Sequence, residues 1–176
     1  TEDELIKKCN LIFVQGKFLE ERCRRFNKNV YIYPFGVNVE AFACLDKSDI
    51  PEDIKQIKEP IIGYIGGIHE HIDFDLIGFL AQQHPDWSIV LIGPIQTDIS
   101  KINKFQNIFF LEKKDFPELP KYIKEFGVCI IPYKLTDYTK TVYPTKLNEY
   151  HMMGKPVVST FLPEVIAFNK MNDNLI

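Results

Sequence analysis

The chain has 176 residues, with 21 Lys plus Arg against 24 Asp plus Glu and a formal net charge of −3. Apolar residues make up 45% and charged residues 26%, which is ordinary for a globular domain and excludes disorder, collagen and coiled coil. So small a net charge gives no general attraction to nucleic acid or an acidic membrane, and no apolar run reaches the ~18–20 residues of a membrane span. The four cysteines, Cys9, Cys23, Cys44 and Cys129, fall in no CxxC and no metal-ligand spacing, so reduced thiols in a cytosolic protein are expected. The first residue is Thr1 and the last, Ile176, follows a polar stretch. The chain therefore reads as a piece of something longer, with any targeting signal outside it.

Apolar strand runs alternate with helical spacing, as in βαβ units on a parallel sheet. Leu11–Gln15 is the first predicted strand, Lys17–Phe26 a helix carried by Phe18, Leu19, Cys23 and Phe26, and Val30–Tyr33 the second strand. Residues 34–60, with Pro34, Gly36, Pro51 and Pro60, read as a connector. A new series opens with a strand at Ile61–Ile65, a Gly66-Gly67 turn and a helix through Phe74, Ile77, Leu80 and Ala81 that stops before Pro85. Strands are then predicted at Ser88–Ile92, Ile108–Leu111, Val128–Pro132 and Pro156–Thr160, with helices near Leu119–Glu125 and Lys146–Met153. The strand runs are unbroken rather than alternating, the mark of parallel strands buried on both faces.

In such sheets ligands bind beyond the carboxyl ends of the strands. Three constellations lie there. Gly66-Gly67 follows a strand and would let a phosphate approach the backbone, although a tight βα turn accounts for the pair equally well. His69, Glu70, His71, Asp73 and Asp75 crowd together and invite a metal reading. Asp73 as a helix cap and Asp75 in the first turn are the stronger explanation, so no metal is expected. Lys146 and Glu149 share one helical face and would suit a phosphate and a ribose, while spacing alone reads more simply as a solvated salt bridge.

The run PTKLNEYHMMGKPVVST resembles the nucleotide-binding motif of the GT-B glycosyltransferases, family 4 (group 1). IIGYIGGIHEHIDFDLIGFLAQQHPDWSIVLIGP, NIFFLEKKDFPELPKYIKEFGVCIIPY and NLIFVQGKFLEERCRRFNKNVYIYPFGVNVEAF resemble other segments of the same family, in the same order. The resemblance implies an α/β fold: the Rossmann-like open parallel sheet of a C-terminal donor-binding domain over 61–176, a connector over 41–60, and the end of the acceptor-side domain over 1–40. It implies a hexosyltransferase that holds a nucleotide-sugar, UDP favoured over GDP, and needs no further cofactor. The acceptor, a glycan or lipid-linked sugar, would bind through the N-terminal domain.

Carried onto this sequence, the donor site comprises Gly66, Gly67, Ile68, Gly93, Pro94, Leu111, Glu112, Lys113, Thr145, Lys146 and Glu149. Lys146, Glu149 and His71 are the candidates for catalysis. The family's two phosphate-gripping cations are missing at Gly67 and Ile72, and its E-x7-E pattern meets Thr141 where the first acid would stand. A subgroup with P-x-K-L-x-E/Q-Y, present here, makes Lys146 the substitute cation, with Lys140 the fallback. The expected outcome is sugar transfer, with retention, in bacterial surface polysaccharide synthesis, at the cytoplasmic face of the membrane. Alone, the fragment is expected to bind nucleotide and transfer nothing. A GT-B sugar epimerase and a non-catalytic nucleotide-binding module are the alternatives.

Overall fold

The computed structural model describes residues 1–43 and 49–172; Cys44 and part of the 41–60 connector lie outside them. The chain order is α1 (Glu2–Lys8), β1 (Ile12–Val14), α2 (Lys17–Arg24), β2 (Val30–Ile32), α3 (Val39–Ala43), α4 (Glu52–Lys55), β3 (Ile61–Ile65), α5 (Phe74–Gln83), β4 (Ser88–Ile92), β5 (Ile108–Leu111), α6 (Leu119–Ile123), β6 (Val128–Ile131), α7 (Lys146–Met152), β7 (Val157–Ser159) and α8 (Pro163–Asn172). Short 3-10 turns occupy Phe116–Glu118 and Thr139–Thr141.

Five of the strands form one parallel sheet in the order β5-β4-β3-β6-β7. The chain starts in the middle at β3, steps outward through β4 to β5, then crosses back through α6 to lay β6 on the other side of β3. The strand order therefore reverses between β3 and β6. β3 and β4, sandwiched by helices, are buried along their whole length. The outer strands are not: β5 is buried only at Ile108, and Val158 on β7 is exposed. Their apolar runs match the inner strands in sequence, but an edge strand has one neighbour fewer to cover it.

β1 and β2 form a separate parallel pair, in register from Ile12↔Val30 to Val14↔Ile32, over a small core of Ile6, Val14, Cys23 and Val30. The stretch read from sequence as a plain connector contains α3 and α4, whose Phe42 and Ile54 are buried in the main core. Asn38 Oδ1 accepts the Ala41 N–H at 3.2 Å, which starts α3 locally. The described cysteines Cys9, Cys23 and Cys129 are free thiols, and no helix among the described residues is long and apolar enough to cross a membrane.

The two layers are joined by a carboxylate. Glu164, 3% exposed in the first turn of α8, accepts the backbone N–H groups of Lys17 at 3.1 Å and Phe18 at 2.7 Å. These are orphan donors at the N-terminus of α2, where the helix dipole also favours a negative charge. Beside this junction a cavity of about 740 Å³ opens between Ile32 and Phe35 on one side and Tyr143, Met152 and Phe168 on the other.

Charge-assisted hydrogen bonds contribute about 1.5–3 kcal/mol each, and a chain of this size loses about 2–4 °C of Tm per kcal/mol. With two such bonds lost, Glu164→Ala is expected to lower Tm by about 6–24 °C in a thermal melt, with Glu164→Gln, which keeps an acceptor oxygen, losing less. An unchanged Tm in the alanine variant would show that the layers are not held there.

Candidate functional site

β3 pairs with β4 through all five residues but with β6 only at Ile62↔Val128 and Gly63↔Cys129. Beyond Gly63 their ladder stops, at the place where the strand order reverses, which is where open α/β sheets form a ligand crevice. The split costs Ile65 its ladder partner on that side. Its N–H donates instead to the hydroxyl of Tyr150, at 2.9 Å. Tyr150 is fully buried on α7, so one hydrogen bond fastens that helix across the end of β3.

The turn after β3 is bare backbone. Gly66 and Gly93 have φ of 144° and 145°, a region that L side chains rarely adopt. A Cβ on Gly93 would stand 2.1 Å from the Gly66 carbonyl oxygen, so the turns ending β3 and β4 can touch only as glycines. The Gly66 N–H donates to Ile92 O and the Ile68 N–H to Pro94 O, both at 2.9 Å. Of the three amides the sequence offered for phosphate, the described hydrogen bonds leave only that of Gly67 open.

Lys146, the first residue of α7, reaches this turn. A Cβ on Gly66 would lie 3.2 Å from Lys146 Cε. The ammonium donates to the Tyr133 hydroxyl at 2.6 Å and sits 5.2 Å from the ring centre of Tyr64 and 4.9 Å from that of Tyr133. Tyr64 in turn donates its hydroxyl to Gly67 O at 3.1 Å. Burial first, and Tyr133 second, push the Tyr64 phenol well above its ordinary pKa, so this donor stays protonated.

Glu149 follows on α7, half-buried, and accepts no protein hydrogen bond among the described residues. Burial raises its carboxyl pKa, and Lys146 pulls it partly back. It is a desolvated acceptor with unused lone pairs. Thr145 sits exposed at the helix start and its hydroxyl caps nothing.

The loop after β3 is tied to the segment after β6. Asp73 N–H donates to Pro132 O and Lys134 N–H to His71 O, both at 2.7 Å. The His71 N–H donates to His69 Nδ1 at 3.2 Å, which places the proton of neutral His69 on Nε2. Burial, then His71 and Lys146, lower the His69 pKa. The His71 ring packs on Tyr138, centres 4.7 Å apart. The nearby acids serve the helix: Asp73 Oδ1 accepts the Leu76 N–H at 3.0 Å and Asp75 pairs with Lys101 at 2.8 Å. Among the described residues no three His, Cys, Asp or Glu side chains gather as metal ligands.

The structure thus brings Lys146 to the Gly66-Gly67 turn, with Glu149 within electrostatic reach of Lys146, Gly93 and Pro94 against the turn, and His71 on the loop after β3. Leu111, Glu112 and Lys113 end the edge strand, two places from β3. Leu111 O accepts the Gly93 N–H at 3.1 Å, while Glu112 and Lys113 are exposed. Lys140 pairs with Asp137 at 3.2 Å, and the Thr141 hydroxyl donates to Tyr138 O at 2.7 Å. Tyr133 opens the Tyr133–Glu149 segment that the fold logic places beyond the strand ends, but neither it nor Tyr64 nor Tyr150 is given a role by the sequence. Each lies in or beside an apolar run, where an aromatic reads as core.

No protein-family model matches the chain. A Bacillus subtilis (strain 168) protein named as a teichuronic acid biosynthesis glycosyltransferase, TuaH, is 33% identical over 159 residues, 88% of this chain and 40% of that protein. Among solved structures, the sucrose-phosphate synthase of Thermosynechococcus elongatus matches 92% of this chain and 43% of its own at 18% identity, TM-score 0.66. Anabaena Alr3699/HepE, in complex with UDP and glucose, matches 90% and 46% at 14% identity, also with TM-score 0.66. The chain spans less than half the length of each of these proteins. The resemblance drawn from the sequence stands: the chain has the Rossmann-like fold of the GT-B glycosyltransferases, and a protein named as a glycosyltransferase is its relative in sequence.

The raised carboxyl of Glu149 has a stability consequence. Its folded pKa exceeds the unfolded value of about 4.3, so ionisation costs the fold stability as pH rises through the folded pKa, and below about pH 4 that cost is absent. Glu149→Gln is therefore expected to melt above wild type at pH 7–8 and level with it near pH 4. A variant that melts below wild type at pH 8 would mean that the carboxylate is a structural partner rather than an unsatisfied acceptor.

Proposed function

We propose that the crevice holds a nucleoside diphosphate-sugar and that the chain is the donor-side part of a hexosyltransferase. The observation that carries this is the Lys146 ammonium set against the Gly66-Gly67 turn at the strand-order switch point, with Glu149 one helical turn on. An open α/β sheet binds ligands at that point. The bare glycine backbone leaves room for a diphosphate, and Lys146 meets its charge. Glu149, an acceptor with no protein donor, takes the ribose hydroxyls. Gly93 and Pro94 form the wall beside the diphosphate, and the base lies toward Leu111, Glu112 and Lys113. His71, at the rim, is the residue left for the sugar.

Transfer breaks the bond between the anomeric carbon and the diphosphate oxygen, and negative charge grows on the leaving group. A fixed cation near that oxygen stabilises the transition state more than the ground state, which is the role assigned to Lys146. Thr141, at the family's first acid position, spends its hydroxyl on Tyr138 O, so any acid function of that position must come from elsewhere in the parent protein.

UDP is the proposed nucleotide, supported by the UDP and glucose of the Anabaena neighbour. Polysaccharide synthesis is the proposed process, supported by the name of the Bacillus relative. We assign 1–40 to the end of an acceptor-side domain, 41–60 to a connector and 61–176 to the donor domain. A glycan or lipid-linked acceptor would meet the donor across that boundary, with retention of configuration, at the cytoplasmic side of a membrane. The 176-residue chain by itself is expected to bind and not to transfer.

The test is a pair of calorimetric titrations with UDP and uridine. Lys146→Ala should weaken UDP about tenfold or more and uridine little, since charge-assisted hydrogen bonds contribute about 1.5–3 kcal/mol and tenfold corresponds to about 1.4 kcal/mol. The UDP loss should shrink in high salt. Equal losses for both ligands, or none, would remove Lys146 from the phosphate site.

A further inference from the structure

A lysine side chain has four rotatable bonds and a strongly hydrated head, so a lone lysine is a poor fixed charge. Lys146 is not alone. Its ammonium is held by one hydroxyl, Tyr133 Oη at 2.6 Å, and by two ring faces, Tyr64 and Tyr133, at 5.2 and 4.9 Å. Tyr64 is tied to the glycine turn itself through Gly67 O. Tyr133 is pinned from both sides: its carbonyl accepts the Thr160 hydroxyl at 2.7 Å, and Ile72 bridges to it from the loop after β3. These contacts fix its backbone, and its ring is buried against Tyr64 and His69, with centres 6.4 and 5.7 Å away, so the lysine comes to a hydroxyl already in place.

We infer that Tyr133 is a positioning residue for Lys146, presenting the ammonium to the Gly66-Gly67 turn before any ligand arrives, with the Tyr64 ring as the second wall. A neutral aromatic cage suits this task. Its quadrupole attracts the cation, while neither tyrosine brings a negative charge that would compete with, or repel, an incoming diphosphate. A carboxylate partner would fix the lysine as well but neutralise it. This inference rests on the donor-site reading for its functional consequence, though not for its geometry.

Two measurements separate these. In a 15N-edited spectrum of lysine ammonium groups at low temperature, a hydrogen-bonded ammonium survives exchange with water, whereas exposed ones vanish. The ligand-free chain should show a persistent signal that Lys146→Ala removes, that Tyr133→Phe also removes, and that Tyr31→Phe, an exposed control on β2, leaves intact. In titrations, Tyr133→Phe should weaken UDP about three- to tenfold with uridine unchanged, and Tyr133→Leu, which loses the ring face too, should weaken it further. On a Lys146→Ala background Tyr133→Phe should cost nothing more.

Persistence of the signal in Tyr133→Phe overturns the inference whatever UDP does, and leaves the donor-site reading standing if Lys146→Ala still weakens UDP. An equal UDP loss from Tyr133→Phe with and without Lys146 also overturns it, because Tyr133 would then act on the ligand or the fold directly. If the signal behaves as expected but Lys146→Ala leaves UDP binding unchanged, the donor-site reading fails and the positioning role falls with it.

Discussion

The site depends on the parting of β3 from β6. Two parallel strands that stay paired leave no room at their ends, and two that separate leave backbone donors without partners. A buried N–H with no acceptor costs about 1–3 kcal/mol. Here the cost is met by Tyr150, whose buried hydroxyl takes the Ile65 N–H. Because Tyr150 belongs to α7, the same bond that makes the split tolerable also sets where Lys146 and Glu149 stand. The helix is short, and its position comes from this anchor and from the burial of Leu147 and Tyr150 rather than from helix propensity.

The groups around the crevice are held but incompletely satisfied. Lys146 has a hydroxyl and two ring faces where a surface lysine would find a carboxylate or water. Glu149 is desolvated without a donor. Gly67 keeps one open amide beside two that the sheet has taken. By contrast, Glu164 is satisfied on the α2 N-terminus and Asp73 on α5. Local departures from the rules that govern the rest of a fold are where a functional site is sought first.

Much of the fold was legible because a parallel sheet writes itself into sequence as apolar runs ended by glycine or proline. The bounds of β3, β4 and β5 agree with the sequence expectation, and Asp73 is the cap that its position suggested. The helices that escaped notice are those whose pattern is weak. α1 buries only Ile6, α3 and α4 are a turn or so long, and α8 follows the last predicted strand with little amphipathic pattern of its own. In the site, glycines, a lysine and an acid stood out because their chemistry is specific. The tyrosine cage did not, since nothing in a sequence says that a tyrosine ending one strand and another ending its neighbour will face the same lysine. That pairing exists only once the strand order places β6 beside β3.

The 740 Å³ cavity at the junction of the two layers competes with the crevice for a ligand. It is mostly apolar and bordered by His151, whose Nε2 is buried without a hydrogen-bond partner among the described residues. The proposed donor site instead carries a cation, a bare turn and a free acceptor, the groups that suit a nucleoside diphosphate. Backbone amide shift mapping of the 176-residue chain with UDP decides between them. Shifts concentrated at Gly66, Gly67, Tyr133 and Lys146–Glu149 are the result this account predicts. Shifts concentrated at Gly16, Phe35, Met152 and Phe168, with the glycine turn unmoved, would contradict it.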